Sequence, residues 1–209
     1  PGLSIAIAHQ GQLYYSRTFG EGIKSDTRFL IGSISKPFTA LAVLQLAEQG
    51  KIDLDAAVSS YIEEFQVSQE ITVGHLLHHK SGMTEFDYMS DLPPSATFED
   101  LVQDMNGMSL SHSPGEEFSY FNPNYSLLGL IVERVSGQSY SDYMEEHIFQ
   151  PLNLSKTSAR GDLDTRGHRS FFGFSIPHEE PFLSYSLPAG FLTSTAEDLA
   201  RYLEAVRTR

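Results

Sequence analysis

Gly32-Ser33-Ile34-Ser35-Lys36-Pro37 sets a hydroxyl and an amine three residues apart at the start of the apolar run Phe38, Leu41, Ala42, Val43, Leu44, Leu46 and Ala47, which Gly50 ends. Apolar positions go almost all the way round such a helix, which predicts that it is buried in the middle of its domain. Residues at i and i+3 share a helix face one turn apart, so the Lys36 amine can reach the Ser33 hydroxyl. A serine hydroxyl is a poor nucleophile unless a neighbour takes its proton during attack, and a lysine does so where burial or a nearby cation favours its neutral form. At a helix N-terminus, free N–H groups and the positive end of the dipole also favour developing negative charge. The same spacing suits a plain helix start in which Ser33 caps backbone N–H groups and Lys36 points into water.

The chain of 209 residues, 40% of them hydrophobic, suits one domain or two closely packed lobes. It carries 14 basic against 27 acidic residues, a formal charge of −13, which argues against nucleic acid or an anionic membrane as partner. Without cysteine there is no disulfide, thiolate zinc site or cysteine nucleophile. No apolar run reaches the length of a membrane span.

Working outward, Leu3, Ile5 and Ile7 alternate on one face before Gln10-Gly11 turns the chain into Leu13 to Arg17, a predicted β-hairpin. Thr27 to Ile31 is a short extended approach to Gly32. Thr72 caps a short helix through His79, and Thr97 caps another with Asp100 in the capping box. Residues 84 to 96, with Pro93-Pro94, form an irregular excursion. Tyr120-Phe121-Asn122-Pro123 leads into a second apolar helix that ends at Gly137. A helix from Ser141 to Phe149 stops at Pro151, short strands are expected near 171–176 and 182–187, and Ser194 with Glu197 forms a capping box for the last helix. His75, His78 and His79 have a spacing that can hold a metal, but the local motif places no acidic third ligand, so they are read as helix-end histidines bonding carbonyls.

Two stretches together carry a resemblance. Ser33-Ile34-Ser35-Lys36-Pro37-Phe38-Thr39-Ala40 resembles the nucleophile motif of the serine β-lactamase and penicillin-binding-protein superfamily, and Tyr120-Phe121-Asn122 is similar to the tyrosine motif of its class C branch. His79-Lys80-Ser81-Gly82, Tyr125-Ser126-Leu127-Leu128-Gly129, Pro151-Leu152-Asn153-Leu154 and Pro188-Ala189-Gly190 are familiar flanking segments. The resemblance implies an α/β (α+β) fold of the β-lactamase/transpeptidase type: an antiparallel sheet with flanking helices, plus a mostly helical lobe. Over residues 1–209 it implies one partial domain, with 1–32 as sheet hairpin and approach, 33–187 as helical lobe, and 188–209 as return helix towards missing strands. Ser33 is the implied nucleophile of an acyl-enzyme reaction, Lys36 and Tyr120 share its proton, and Asn122 binds substrate or Lys36. The Ser33 N–H would supply half of the oxyanion hole. A phenol and an amine placed together titrate as a unit, so either partner can be the general base.

The family's third motif, Lys or His then Thr or Ser then Gly, lies beyond the last helix in its members; Lys80-Ser81-Gly82 has the letters in the wrong place and is read as a decoy. The chain is therefore expected to be truncated at both ends, its C-terminal strands and second oxyanion donor missing and its hairpin left with an open edge and apolar face. The expected activity is hydrolysis of a D-alanyl peptide, a β-lactam or a small ester, without metal or other cofactor. The alternative is a non-catalytic module that binds peptide or cell-wall fragments. The absence of a Gly-x-Ser-x-Gly elbow argues against an α/β-hydrolase. The partner is a small-molecule or peptide substrate, the chain is expected to be a monomer once its missing strands are supplied, and relatives commonly act outside the cytoplasm.

Overall fold

The computed structural model describes residues 2–85, 91–179 and 181–207. The chain divides into two compact units, Pro1–Ile31 with Met144–Phe182 and Leu192–Arg209, and Gly32–Tyr143 with Leu183–Phe191.

In the first unit, β1 (Leu3–His9) and β2 (Gln12–Phe19) pair antiparallel, Leu3 opposite Phe19 and Ile7 opposite Tyr15. Gln10 and Gly11 both have positive φ, the backbone that a tight two-residue hairpin turn needs. The strands alternate: Ser4, Ala6 and Ala8 are half-buried, whereas Leu3, Ile5 and Ile7 are exposed. The C-terminal helix packs on the hairpin, where Glu197 accepts from the Ser16 hydroxyl at 2.7 Å and Glu204 from the Gly11 N–H at 2.8 Å. The small side chains therefore line the covered face, and Leu3, Ile5 and Ile7 stay exposed on the other.

The short strand β3 (Phe29–Leu30) pairs antiparallel with Thr193–Ser194, and Ser158 bridges to Thr193 on the other side. Asp198, fully buried, accepts from the Lys156 N–H at 2.8 Å, the Thr157 hydroxyl at 3.1 Å and Arg201 at 2.6 Å. Arg28 forks onto Asp164 and Asp162. These contacts draw Met144–Phe182 into the first unit, whereas the sequence reading assigned that segment to a helical lobe over 33–187. The excluded portion is tied down by side-chain bonds to distant residues, which no local pattern announces.

Three local readings are also corrected. The strands β4 (Gly167–Phe171) and β5 (Phe174–His178) pair with each other, with Phe172-Gly173 as a positive-φ turn inside the strand expected at 171–176. The second expected strand, at 182–187, contains instead a 3₁₀ turn over Ser184–Ser186. Ser194 belongs to strand β6 (Thr193–Ser194), so the cap of the last helix moves one residue on: the Thr195 hydroxyl accepts the Asp198 N–H at 3.2 Å.

The second unit is helical. Its central α1 (Ser35–Glu48) buries Phe38, Ala42, Val43 and Leu46 completely. The short α2 (Val73–Leu77) and α3 (Phe98–Met105) start at Thr72 and Thr97, whose hydroxyls accept from the third residue on; each such cap contributes about 1 kcal/mol. Long α4 (Asn122–Ser136) packs on α1 and α2, and Gly137 ends it in a left-handed conformation. A Cβ at Gly129 of α4 would collide with Pro188, which belongs to the π-helical turn Leu187–Phe191. Close approach at this glycine brings that turn onto both α1 and α4. Residues Tyr140–Met144 form α5; a π-helical turn over Glu145–Phe149, which belongs to the first unit, continues the expected 141–149 helix, and the C-terminal helix of that first unit, Ala196–Arg207, is α6. The irregular excursion expected over 84–96 lies partly outside the described residues.

Candidate active site

Ser33 does not lie within α1. It sits in the 3₁₀ turn Gly32–Ile34 that leads into the helix, with Gly32 at a φ of 54°. Three residues per turn keep i and i+3 eclipsed in such a turn, so the expected pairing survives: Lys36 Nζ donates to Ser33 Oγ at 3.3 Å. Tyr120 Oη donates to the same oxygen at 2.7 Å. Ser33 is exposed, while Lys36 is only 5% exposed.

Burying an ammonium requires partners. Lys36 Nζ donates also to Asn122 Oδ1 at 2.8 Å and to the Ala189 carbonyl at 2.6 Å, so three acceptors surround its three N–H bonds. The cation lies 4.8 Å from the Tyr120 ring centre and 5.7 Å from that of Tyr125. Ser33, Lys36, Tyr120 and Asn122 are thus brought together, all in the second unit. The reading in which Lys36 points into water is set aside by its burial. Asn122 is placed against Lys36 because Phe121 and Pro123 start α4 at this point, with Phe121 extended and Pro123 in the first turn.

Four participants escaped the sequence reading. The Ala189 carbonyl is backbone, and the π-turn that presents it is held by Pro188, whose own carbonyl accepts from Thr39 at 2.8 Å. Only the Pro188-Ala189-Gly190 signature pointed to it. Glu85 accepts from Asn122 Nδ2 at 2.9 Å. His79 figures in the sequence as a helix-end histidine and in one flanking segment, and Tyr125 in another, neither with a role at the site. The His79 ring lies 4.5 Å from that of Tyr120 and 5.1 Å from that of Tyr125, and its Nδ1 accepts the Phe121 N–H at 3.2 Å. Burial, and then the Lys36 charge, lower the His79 pKa to about 4, so this imidazole is neutral at neutral pH. Burial likewise raises the Tyr125 phenol, whose hydroxyl donates to the Leu77 carbonyl.

The remaining histidines of the triplet have local partners. His75 Nδ1 accepts the Thr72 N–H, and His78 Nδ1 meets the Gly74 carbonyl at 2.8 Å. His79 turns away with a φ of 53°. Among the described residues no group of three or more His, Asp or Glu is arranged to hold a metal. Lys80-Ser81-Gly82 serves as a tie: buried Ser81 donates to Asn124 Oδ1 at 2.9 Å, and Lys80 to the Gly115 carbonyl. No helix among the described residues is long and apolar enough to cross a membrane.

With this geometry in place, comparison with known proteins is specific. The family described as Beta-lactamase matches residues 1–209. Protein flp of Staphylococcus aureus (strain MW2) is 30% identical over 98% of this chain, a match that covers 45% of flp. The chain thus spans about half the length of the curated relatives it matches. The octameric penicillin-binding protein homologue from Pyrococcus abyssi superposes with a TM-score of 0.84 at 32% identity, over 98% of this chain and 52% of that one. A D-stereospecific amidohydrolase from Streptomyces superposes with a TM-score of 0.80 at 28% identity, over 99% of this chain and 68% of that one.

Proposed function

The chain belongs to the Beta-lactamase family, a fold family of serine hydrolases, and from that premise we propose that it carries the acylating centre of a serine hydrolase acting on amide or ester bonds. The carrying observation is the double contact on one exposed hydroxyl, with Tyr120 Oη 2.7 Å and Lys36 Nζ 3.3 Å from Ser33 Oγ.

In this reading the Tyr120–Lys36 pair first gives up one proton to solvent, leaving a phenolate beside an ammonium or a phenol beside an amine. Ser33 Oγ then attacks the carbonyl carbon, forming a C–O bond as the C=O π bond opens to an oxyanion, and its proton passes to the basic member of the pair. The pair returns that proton to the departing amine or alcohol as the scissile bond breaks. Asn122, beside Lys36 at the rim, holds the substrate. Water then attacks the acyl ester, releasing the carboxylic acid and restoring Ser33. The Ser33 N–H, in the turn that leads into α1, would stabilise the oxyanion. Candidate substrates are a D-alanyl peptide, a β-lactam or a small ester; the D-stereospecific amidohydrolase and the penicillin-binding homologue support the first two. An extracytoplasmic site of action accords with such substrates.

Incubation with a fluorophosphonate or penicillin followed by intact-mass and peptide analysis tests the proposal. A stoichiometric adduct at Ser33 that Ser33→Ala abolishes is expected. Binding of a D-alanyl peptide with no adduct and no ester turnover would establish the non-catalytic alternative instead. Light scattering on the same sample decides between the expected monomer and an assembly like that of the octameric Pyrococcus homologue.

A further inference from the structure

Asn122 uses both ends of its carboxamide: Oδ1 accepts from Lys36 Nζ at 2.8 Å, and Nδ2 donates to Glu85 Oε1 at 2.9 Å. The two contacts fix the orientation of a group that is otherwise free to flip. Reversal would aim N–H bonds at an ammonium and a carbonyl oxygen at a carboxylate, two repulsions in place of two charge-assisted bonds. Glu85 is exposed, but the chain that delivers it is not loose. Ser81, Gly82, Met83 and Thr84 before it are buried, the Ser111 N–H donates to the Gly82 carbonyl at 2.9 Å, and the Met83 N–H to Ser81 Oγ. Gly82 has a φ of 82° and lies so close to the His112 carbonyl that a Cβ would not fit. The buried stretch therefore holds the carboxylate at a defined place over the Asn122 amide.

We infer that Glu85 is a positioning residue for the acylation centre: it locks the Asn122 carboxamide with Oδ1 towards Lys36, so that the amine stays aimed at Ser33. The inference rests on the acylation reading for its consequence, but its structural core concerns a side-chain orientation that can be observed directly. Lys36 has three acceptors, and Asn122 is the one of them that is a rotatable side-chain amide. A free Asn122 would present its N–H₂ to Lys36 for part of the time and push the amine off the Ser33 hydroxyl. The damage would fall on the chemical step, since Glu85 acts through Asn122 and Lys36.

The test combines the ¹⁵N-labelled protein with pre-steady-state acylation by a chromogenic ester. The Asn122 side-chain amide resonance, assigned by its disappearance in Asn122→Ser, is expected to shift and to exchange faster with solvent in Glu85→Ala, and to stay near its wild-type position in Glu85→Gln, whose amide oxygen still accepts. Acylation by the ester is expected to slow about five- to tenfold in Glu85→Ala with KM little changed, and Glu85→Gln to recover to within about twofold. An Asn122 resonance that Glu85→Ala leaves unmoved overturns the inference, as does a Glu85→Gln variant as impaired as the alanine one. Wild-type protein that never acquires an adduct at Ser33 overturns the acylation reading instead, and the Asn122 resonance still judges the role of Glu85.

Discussion

Acidification should loosen this protein through His79, and the size of the effect follows from its setting. The imidazole is 7% exposed, lies at tilted angles against the Tyr120 and Tyr125 rings, and its Nδ1 lone pair is occupied by the Phe121 N–H. Burial and the Lys36 charge take its pKa from 6.5 down to about 4. The unfolded chain thus takes up a proton near pH 6.5 that the folded chain refuses until about pH 4, and stability must rise with pH across that window. The contribution is full above pH 6.5 and falls away as the pH drops towards 4. Between about pH 7.5 and pH 5 these two values give a loss of about 2 kcal/mol. With a urea dependence of about 2 kcal/mol per molar, that is a fall of about 1 M in the unfolding midpoint. The other titrating groups are cancelled by comparison with His79→Gln, whose amide oxygen still accepts the Phe121 N–H but which takes up no proton. Urea titrations of both proteins at the two pH values, followed by circular dichroism, measure the difference. If His79→Gln shows the same midpoint shift as the wild type, the reasoning is refuted.

Other perturbations test other links. Tyr120→Phe removes the shorter contact on Ser33 Oγ and should lower the rate of fluorophosphonate or ester acylation about 10²- to 10⁴-fold, read by adduct formation over time, while the far-ultraviolet spectrum stays unchanged. Gly129→Ala forces a methyl into Pro188 and should cost about 1–3 kcal/mol in urea unfolding. The same variant should also slow acylation, because the displaced turn carries the Ala189 carbonyl that holds Lys36. Asp198→Ala leaves the part-buried Lys156 N–H and the buried Thr157 hydroxyl without that acceptor and Arg201 without its closest carboxylate; thermal unfolding should report a loss of about 1–3 kcal/mol.

The extent to which the sequence foretold these features follows the range of the forces involved. The Leu3 to Arg17 hairpin is written in the alternation of Leu3, Ile5 and Ile7 and in the turn at Gln10-Gly11, and the caps at Thr72, Thr97 and Gly137 are local hydrogen-bond or backbone requirements, so each was readable from neighbouring residues. Where competing local signals existed, the reading slipped. The cap of the last helix is read at Ser194, but pairing of Ser194 with Phe29 in the strand leaves the role to Thr195, one residue on. Likewise Phe171 to Ile176 looks like a single strand until two positive-φ residues turn it back on itself. The membership of Met144–Phe182 in the first unit depends on bonds such as Thr157 to Asp198, 41 residues apart, which have no sequence period at all.

For Ser33 and Lys36 the sequence by itself determined that the two side chains lie within reach, because an i, i+3 relation survives whether the turn is 3₁₀ or α; burial of Lys36 decided that it turns to Ser33 rather than to water. It also determined that Tyr120 and Asn122 would stand at the start of α4, since Pro123 fits only the first turn of a helix. Tertiary structure alone decided what makes these residues one site: packing of α4 on α1 through Gly129 and Pro188 brings Tyr120 onto the Ser33 hydroxyl and the Ala189 carbonyl onto Lys36. His79 beneath the tyrosine and Glu85 beside the asparagine were decided in the same way. The physical reason is one of reach: helix periods and caps act over a single turn of chain, whereas a buried cation is satisfied by whichever carbonyls and rings the packed core brings within about 3–6 Å.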